Sequence, residues 1–273
     1  HQTDVMPAVL PARECGLGLH VQFTNSEARV AQRVRSKTAA LAGWFGGART
    51  IAEHVGEALR GCSWVGVPFA GGMSELMHIK ASSILVSDKH RHIINLARVV
   101  ANKYLRDRLI YTLRAMPVHQ DVLKECQAIA KNSVFVDPLS GSACRMDLTD
   151  NFAAAIAYFV CCWMAQGARA GTDKEFEAAY SFRYSASGGD SAIRFRSATE
   201  SLQDWDEIMP RCTFVCMDAF EFLGEMLDPK FKRDRPENGL YVDAPWPDDG
   251  TDYLYKFTEA AQRALAKLLH KFQ

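Results

Sequence analysis

The feature that most constrains this chain is a repeated arrangement: a short apolar run, then a glycine pair or an acid, then a helical pattern. It occurs in "SWVGVPFAGGMSELMHI", in "SSILVSDKHRHIINLARVVANKYL", in "CTFVCMDAFEFLGEM" and at "GLYVDAPW". The apolar runs are too short for helices, so they read as strands. Strands that alternate with helices pair in parallel, because each return needs a crossover. The expected fold class is therefore α/β, with helices on both faces of the sheet.

The local expectations are specific. A strand at 84–87 ends on Asp88, and the helix after it buries Ile93, Ile94, Ala97, Val100 and Tyr104. Upstream, "GWFGGARTIAEHVGEAL" reads as a glycine turn and a helix with Ile51, Val55 and Leu59 on one face. "GLYVDAPW" places Asp243 at the mouth of a buried strand formed by Leu240, Tyr241 and Val242. An acid in that place often only caps the next turn.

From about 106 to 205 the alternation stops, which reads as an insertion. Its first part is helical and includes "FAAAIAYFVCCWMA", 152–165. A bilayer needs about 20 apolar residues, so this run reads as a helix buried on all sides, and no membrane is expected. Next, "YSFRYSASGGDSAIRFRS" reads as a hairpin around Gly188-Gly189. Arg194 and Arg196 would then share one side of a strand. With Arg183 and Tyr184 they would form a basic, aromatic surface suited to phosphates. The organisation expected is an extension at 1–40, a core part at 41–105, the insertion at 106–205 and a second core part at 206–273. The chain opens on His1 rather than methionine, consistent with a tag remnant or a missing start.

Composition limits the partners. Lys plus Arg equals Asp plus Glu, 32 each, so the formal net charge is zero. Any surface for nucleic acid must be local. The eight Cys include no C-x-x-C pair. Cys212 and Cys216 lie four apart on a strand, about 13 Å at strand rise, too far to share an ion. No metal site is expected. The cysteines read as reduced and buried, and with no visible signal peptide this points to the cytoplasm.

Ligands of open α/β sheets bind outside the carboxyl ends of the strands. Gly71-Gly72, Asp88, Asp218 and Asp243 all fall there, which predicts one crevice lined with acids. "PFAGG" permits close backbone approach to a ligand, but it is neither G-x-G-x-x-G nor a phosphate-binding loop. Asp88 stands where an acid accepts both ribose hydroxyls of an adenosine. Asp218 is placed for the adenine amino group, with the Phe220 ring on the base. Together these point to an adenosine-containing cofactor without pyrophosphate.

In these motifs the chain resembles the Dam-type N6-adenine DNA methyltransferases, which use S-adenosylmethionine. The resemblance rests on "WFGGAR" at 44–49, "VPFAGG", "ILVSDKHRHIINL", "DAFEFL" and "YVDAPW", in that order, with "YKFTEAAQRALAKLL" as the helix after the catalytic strand. It covers roughly 41–105 and 206–273. It implies a Rossmann-like methyltransferase sheet, with a cofactor site at Trp44, Gly47, Arg49, Pro68, Phe69, Ala70, Gly71, Gly72, Asp88, Asp218, Ala219 and Phe220. The catalytic set it implies is Asp243, Ala244, Pro245 and Trp246. Asp243 and the Ala244 carbonyl would accept from the target amine, and Trp246 would stack on the flipped base. Double-stranded DNA is the implied partner.

The chain departs from the family's pattern in several places. Ala244 stands where the family has Pro, Ala48 where it commonly has Lys, and Val67 where it has an acid. The family's sheet also continues beyond the last helix seen here, which implies a missing C-terminal segment or a partner subunit. Two alternatives stay open: a weak or inactive relative that binds nucleic acid or a partner, and a methyltransferase acting on RNA or a small amine.

Overall fold

The computed structural model describes residues 40–135, 148–167, 169–180, 190–228, 237–246 and 252–272. These fall within one compact unit, 35–273. Four strands form: β1 (Trp64–Val67), β2 (Ser83–Ser87), β3 (Cys212–Val215) and β4 (Asn238–Leu240), with β4 two residues earlier than expected, so that Tyr241 and Val242 follow the strand rather than form it. They make an all-parallel four-stranded sheet in the order β3-β2-β1-β4. Successive strands run outward from β1 to β3, and the chain then returns to pair β4 on the other side of β1. The order thus reverses between β1 and β4, where open α/β sheets leave a crevice.

Alternation along each strand explains the two covered faces. Val65, Val67, Ile84, Val86 and Phe214 enter one apolar cluster with α2 (Arg91–Ala101), α3 (Lys103–Ala115), α4 (Gln120–Lys131), α5 (Leu148–Met164) and α6 (Ser191–Ser201). Trp64, Leu85, Val215 and Leu240 face the other way, toward Phe222, Leu223 and Met226 of α7 (Ala219–Met226) and Leu265 of α8 (Glu259–Leu269). Each fully buried aliphatic side chain contributes about 1.5–3 kcal/mol. The helices of the expected insertion therefore share the core of the sheet's first face. α5 is buried nearly all round, as its composition predicts. No helix of the described residues is long and apolar enough to cross a membrane.

Four local expectations are corrected. Tyr104 is 73% exposed, because the helix breaks at Asn102. The Asn102 side chain accepts from the Leu105 N–H at 3.1 Å, starting α3 on a new axis. In α1 (Ala52–Ala58) the buried residues are Ala52 and Gly56, and Ile51 faces solvent. Gly56 packs so closely on His78 that a Cβ would lie 2.6 Å from the His78 carbonyl oxygen. A small residue is what that approach permits, so Ile51 is turned to solvent while Leu59 stays partly buried against the core. β4 is only half-buried, since it is the sheet's edge among the described residues. Finally, of the six cysteines described, all free, Cys216 is exposed and Cys62 and Cys212 are half-buried. Cys15 and Cys144 lie outside the described residues.

The largest correction falls on residues 191–201, which form α6 rather than a strand. Asp190 caps it by accepting from the Ile193 N–H at 2.7 Å. Ser191, Phe195, Ala198 and Leu202 are buried, a helical spacing that overrides the Arg-Phe-Arg alternation. Residues two apart on a helix point to nearly opposite sides. Arg194 donates to the Cys162 carbonyl at 3.2 Å and lies over the Trp163 ring, while Arg196 is exposed. Arg183, Tyr184 and the Gly188-Gly189 turn lie outside the described residues.

Candidate functional site

A cavity of about 1150 Å3, counted with its open mouth, lies at the carboxyl ends of all four strands. Every strand contributes. Pro68, Phe69, Ala70, Gly71 and Gly72 follow β1, and Asp88 follows β2. Asp218, Ala219 and Phe220 follow β3, and Asp243, Ala244, Pro245 and Trp246 follow β4. Trp44 and Gly47 complete the expected set, with Ala48 beside them. Arg49 does not line the cavity. It sits in the short 3-10 turn Ala48–Thr50, whose residues are not buried, and its side chain is exposed.

The glycine turn is packed from within the protein. Gly71 adopts φ +46, a left-handed conformation that favours glycine, and Met73 shares it at φ 61. A Cβ on Gly72 would lie 2.8 Å from the Ala42 carbonyl oxygen and 2.9 Å from Trp44 Cβ. A Cβ on Gly171 would lie 2.5 Å from the Trp44 ring. The space that these glycines leave is thus filled by Trp44, whose indole also meets His90 edge-on at 5.3 Å. Trp44 is a pillar of the cavity wall as well as part of its lining.

Two of the acids hold the loops themselves. Asp88 accepts from the Gly71 N–H and from the His90 N–H, both at 2.8 Å. Burial pushes its carboxyl above the ordinary range, and these bonds pull it partly back. Each oxygen retains a lone pair for a ligand. Asp218 caps α7 by accepting from the Phe220 N–H at 2.9 Å. Lys89 lies 3.3 Å from its other oxygen, an exposed pair worth little. Asp243 is exposed as a residue. Its surroundings still desolvate its carboxyl enough to raise its pKa, and Tyr241 opposes the shift. The Tyr241 hydroxyl is buried and lies outside strict hydrogen-bond geometry. Trp246, beside it, is 72% exposed.

Several lining residues were not foreseen. Phe69 meets Phe257 edge-on at 6.0 Å, and Phe220 stacks with Phe257 at 6.5 Å, giving an aromatic wall. Tyr253, Tyr255, Lys256 and Phe257 come from a non-helical stretch before α8, although the helix was expected to include "YKF" at its start. The alternating aromatics of "DYLYKF" were the available signal. α8 begins after Thr258, whose hydroxyl accepts from the Ala261 N–H at 3.2 Å. Glu75 lines the cavity from the 3-10 turn Ser74–Met77 and is 3% exposed. His90, also in the lining, and Glu175 are buried 2.8 Å apart, and the other Glu175 oxygen accepts from the Gly171 N–H at 2.9 Å. That pair ties the turn at 171–175 to the start of α2. Burial, followed by the neighbouring His90, pushes His92 down to about 3. No cluster able to hold a metal ion exists among the described residues.

No protein-family model and no curated protein matches this sequence.

Proposed function

We propose that this chain is an S-adenosylmethionine-dependent methyltransferase of Rossmann-like fold that methylates the exocyclic N6 of adenine in DNA. The observation that carries the reading is the convergence of the Gly71-Gly72 turn, Asp88, Asp218 and the Asp243–Trp246 stretch on one cavity. Its aromatic wall offers a face to an adenine ring, and Asp88 offers free lone pairs to ribose hydroxyls. When bound, S-adenosylmethionine supplies an electrophilic methyl group.

The chain's own residues account for the rest. The exocyclic amine is a weak nucleophile because its lone pair is delocalised into the ring. Asp243 and the Ala244 carbonyl accept its N–H groups and favour a tetrahedral nitrogen as positive charge develops. The raised pKa of Asp243 means that more of it is protonated near neutrality than for an ordinary carboxyl, and only the ionised form accepts fully. Trp246, exposed at the rim, presents a face on which an extruded base stacks.

A weak or inactive relative is the second reading, and Ala48 favours it. This residue lines the cavity where the resemblance expects a lysine. Transfer of labelled methyl to duplex DNA, with duplex RNA and free adenosine as parallel substrates, decides among these readings. Nucleoside analysis should give N6-methyladenine from DNA alone. Asp243→Ala should abolish the transfer and leave cofactor affinity largely unchanged. Label on RNA or adenosine instead reassigns the substrate, and binding without transfer selects the second reading.

A further inference from the structure

Glu75 is the one acid of the cavity that the foregoing chemistry does not use. It is 3% exposed, and its Oε1 is buried with no hydrogen-bond partner. The backbone fixes it there. Met73 enters the turn at φ 61, and the Glu75 carbonyl accepts from the His78 N–H at 2.9 Å. Gly56 of α1 packs against His78 behind it. The side chain is therefore held in the cavity lining, with one buried oxygen left without a donor.

The charges around it select the kind of donor it awaits. Asp243 and Asp88 act on Glu75 from the ends of β4 and β2, both raising its pKa. Burial is the larger cause, and together they push the carboxyl up to about 8, so near neutrality it is mostly protonated. Lys89 and Lys256 line the same cavity, and Lys89 lies beside Asp218. On the elements packed behind the turn, Arg49, Glu53, His54 and Glu57 are exposed, and His78 is half-buried. After β4 the Tyr241 hydroxyl is buried, and burial, Asp243 and Glu75 all raise its pKa. An anion would meet three acids here. A cation would pair with Glu75 and relieve the repulsion among all three.

We infer that Glu75 is the counter-charge for the positive part of the cavity's ligand, and that it releases its proton when that ligand binds. The inference rests on the methyltransferase reading for the ligand's identity: S-adenosylmethionine carries a sulfonium and an α-ammonium. The O–H bond of Glu75 breaks, the proton passes to solvent buffer, and the carboxylate remains against the cation. No other bond changes.

The test is calorimetry of the full chain with S-adenosylmethionine and S-adenosylhomocysteine at about pH 7, in buffers of different ionisation enthalpy. Wild type should release close to one proton per S-adenosylmethionine bound. Glu75→Gln should release none and bind about ten- to a hundredfold more weakly, the effect of losing a charge-assisted bond. Equal weakening toward both ligands places the α-ammonium at Glu75, and weakening toward S-adenosylmethionine alone places the sulfonium there. Either supports the inference. Wild-type affinity and unchanged proton release in a folded Glu75→Gln protein overturn it. If that variant does not fold, wild type alone suffices: its affinity should rise about tenfold per pH unit below about pH 7, where the ligand's own α-ammonium stays charged. A flat profile overturns the inference. Wild type that binds neither ligand fails the methyltransferase reading instead, a separable result.

Discussion

The Asp88 carboxylate accepts the Gly71 N–H at 2.8 Å and thereby clasps the end of β2 to the turn after β1. Its second oxygen accepts the His90 N–H, at the start of α2. One side chain sets the spacing of two strand ends, and the cavity floor depends on both. A residue read from the sequence as a ligand group is in this structure also the clasp of the loop that would hold the ligand.

This double role changes how its mutants behave. Asp88→Ala leaves two backbone donors without their acceptor, each costing about 1–3 kcal/mol where it stays buried. Asp88→Asn keeps one oxygen and should lose about half as much stability. Denaturant titrations of the three proteins should rank wild type above Asn above Ala. Equal midpoints would show that the clasp contributes nothing. Cofactor affinities of these variants need comparison under conditions where each is folded.

Trp44 wedged against Gly71, Gly72 and Gly171 gives a second expectation. Gly171 has φ +81, and a Cβ there would meet the indole at 2.5 Å. Gly171→Ala should destabilise by about 1–3 kcal/mol, since overpacking and a disfavoured φ act together. Gly224, inside α7, has nothing within 4 Å of its would-be Cβ. Gly224→Ala should stabilise by about 0.4–1 kcal/mol. Thermal melts showing the two changes with the same sign would contradict this packing.

Legibility in the sequence followed how local the determining contacts are. The four strands and the acids at their ends were readable because alternation and strand-end position are properties of contiguous residues. Asp243 and Asp88 could be placed in one crevice before any strand order was known, since parallel strands share a carboxyl end. The failures had distant causes. Ile51 was read as buried because hydrophobicity pointed inward, whereas the close approach of Gly56 to His78 decides the face. Arg194 and Arg196 alternate around Phe195, but the cap by Asp190 and the burial of Phe195, Ala198 and Leu202 make the segment helical. Glu75 gave no signal, because its burial comes from the ends of strands that are remote in sequence.

Glu75 and His92 shape the pH dependence of stability in opposite directions. Folding holds His92 at about 3 against an ordinary 6.5, so the unfolded chain binds its proton more readily. Stability from this group is complete above 6.5 and is lost as pH falls toward 3. Folding holds Glu75 at about 8 against an ordinary 4.5, so here the folded chain keeps the proton. Stability from this group is complete below 4.5 and is lost as pH rises through about 8. Without ligand, Glu75→Gln should therefore be progressively more stable than wild type as pH rises through that window. Melts at intervals across it should show the gap widening and then levelling. A constant difference would mean that Glu75 does not titrate with folding.

The geometry of α6 sharpens the expectation for DNA binding. Arg194 lies against the Cys162 carbonyl and the Trp163 ring, so its guanidinium is committed to the helix beneath. Arg196 is exposed on nearly the opposite side. Only Arg196 is free to meet a phosphate without loss of packing. A phosphate contact releases counterions, so each one contributes about 0.9 to the salt slope on B-DNA. Arg196→Ala should flatten the slope by about 1 unit on unrelated duplexes alike, with no change in thermal stability. Arg194→Ala should do the reverse, lowering stability by about 1 kcal/mol or more as the Cys162 carbonyl and the Trp163 face lose their partner, with the slope unchanged. Titrations at several salt concentrations on two duplexes, run beside melts of both variants, separate the two roles. Equal flattening by the two substitutions would mean that both arginines reach DNA and that α6 does not hold Arg194 as described. No flattening by Arg196→Ala would mean that Arg196 is not a DNA contact.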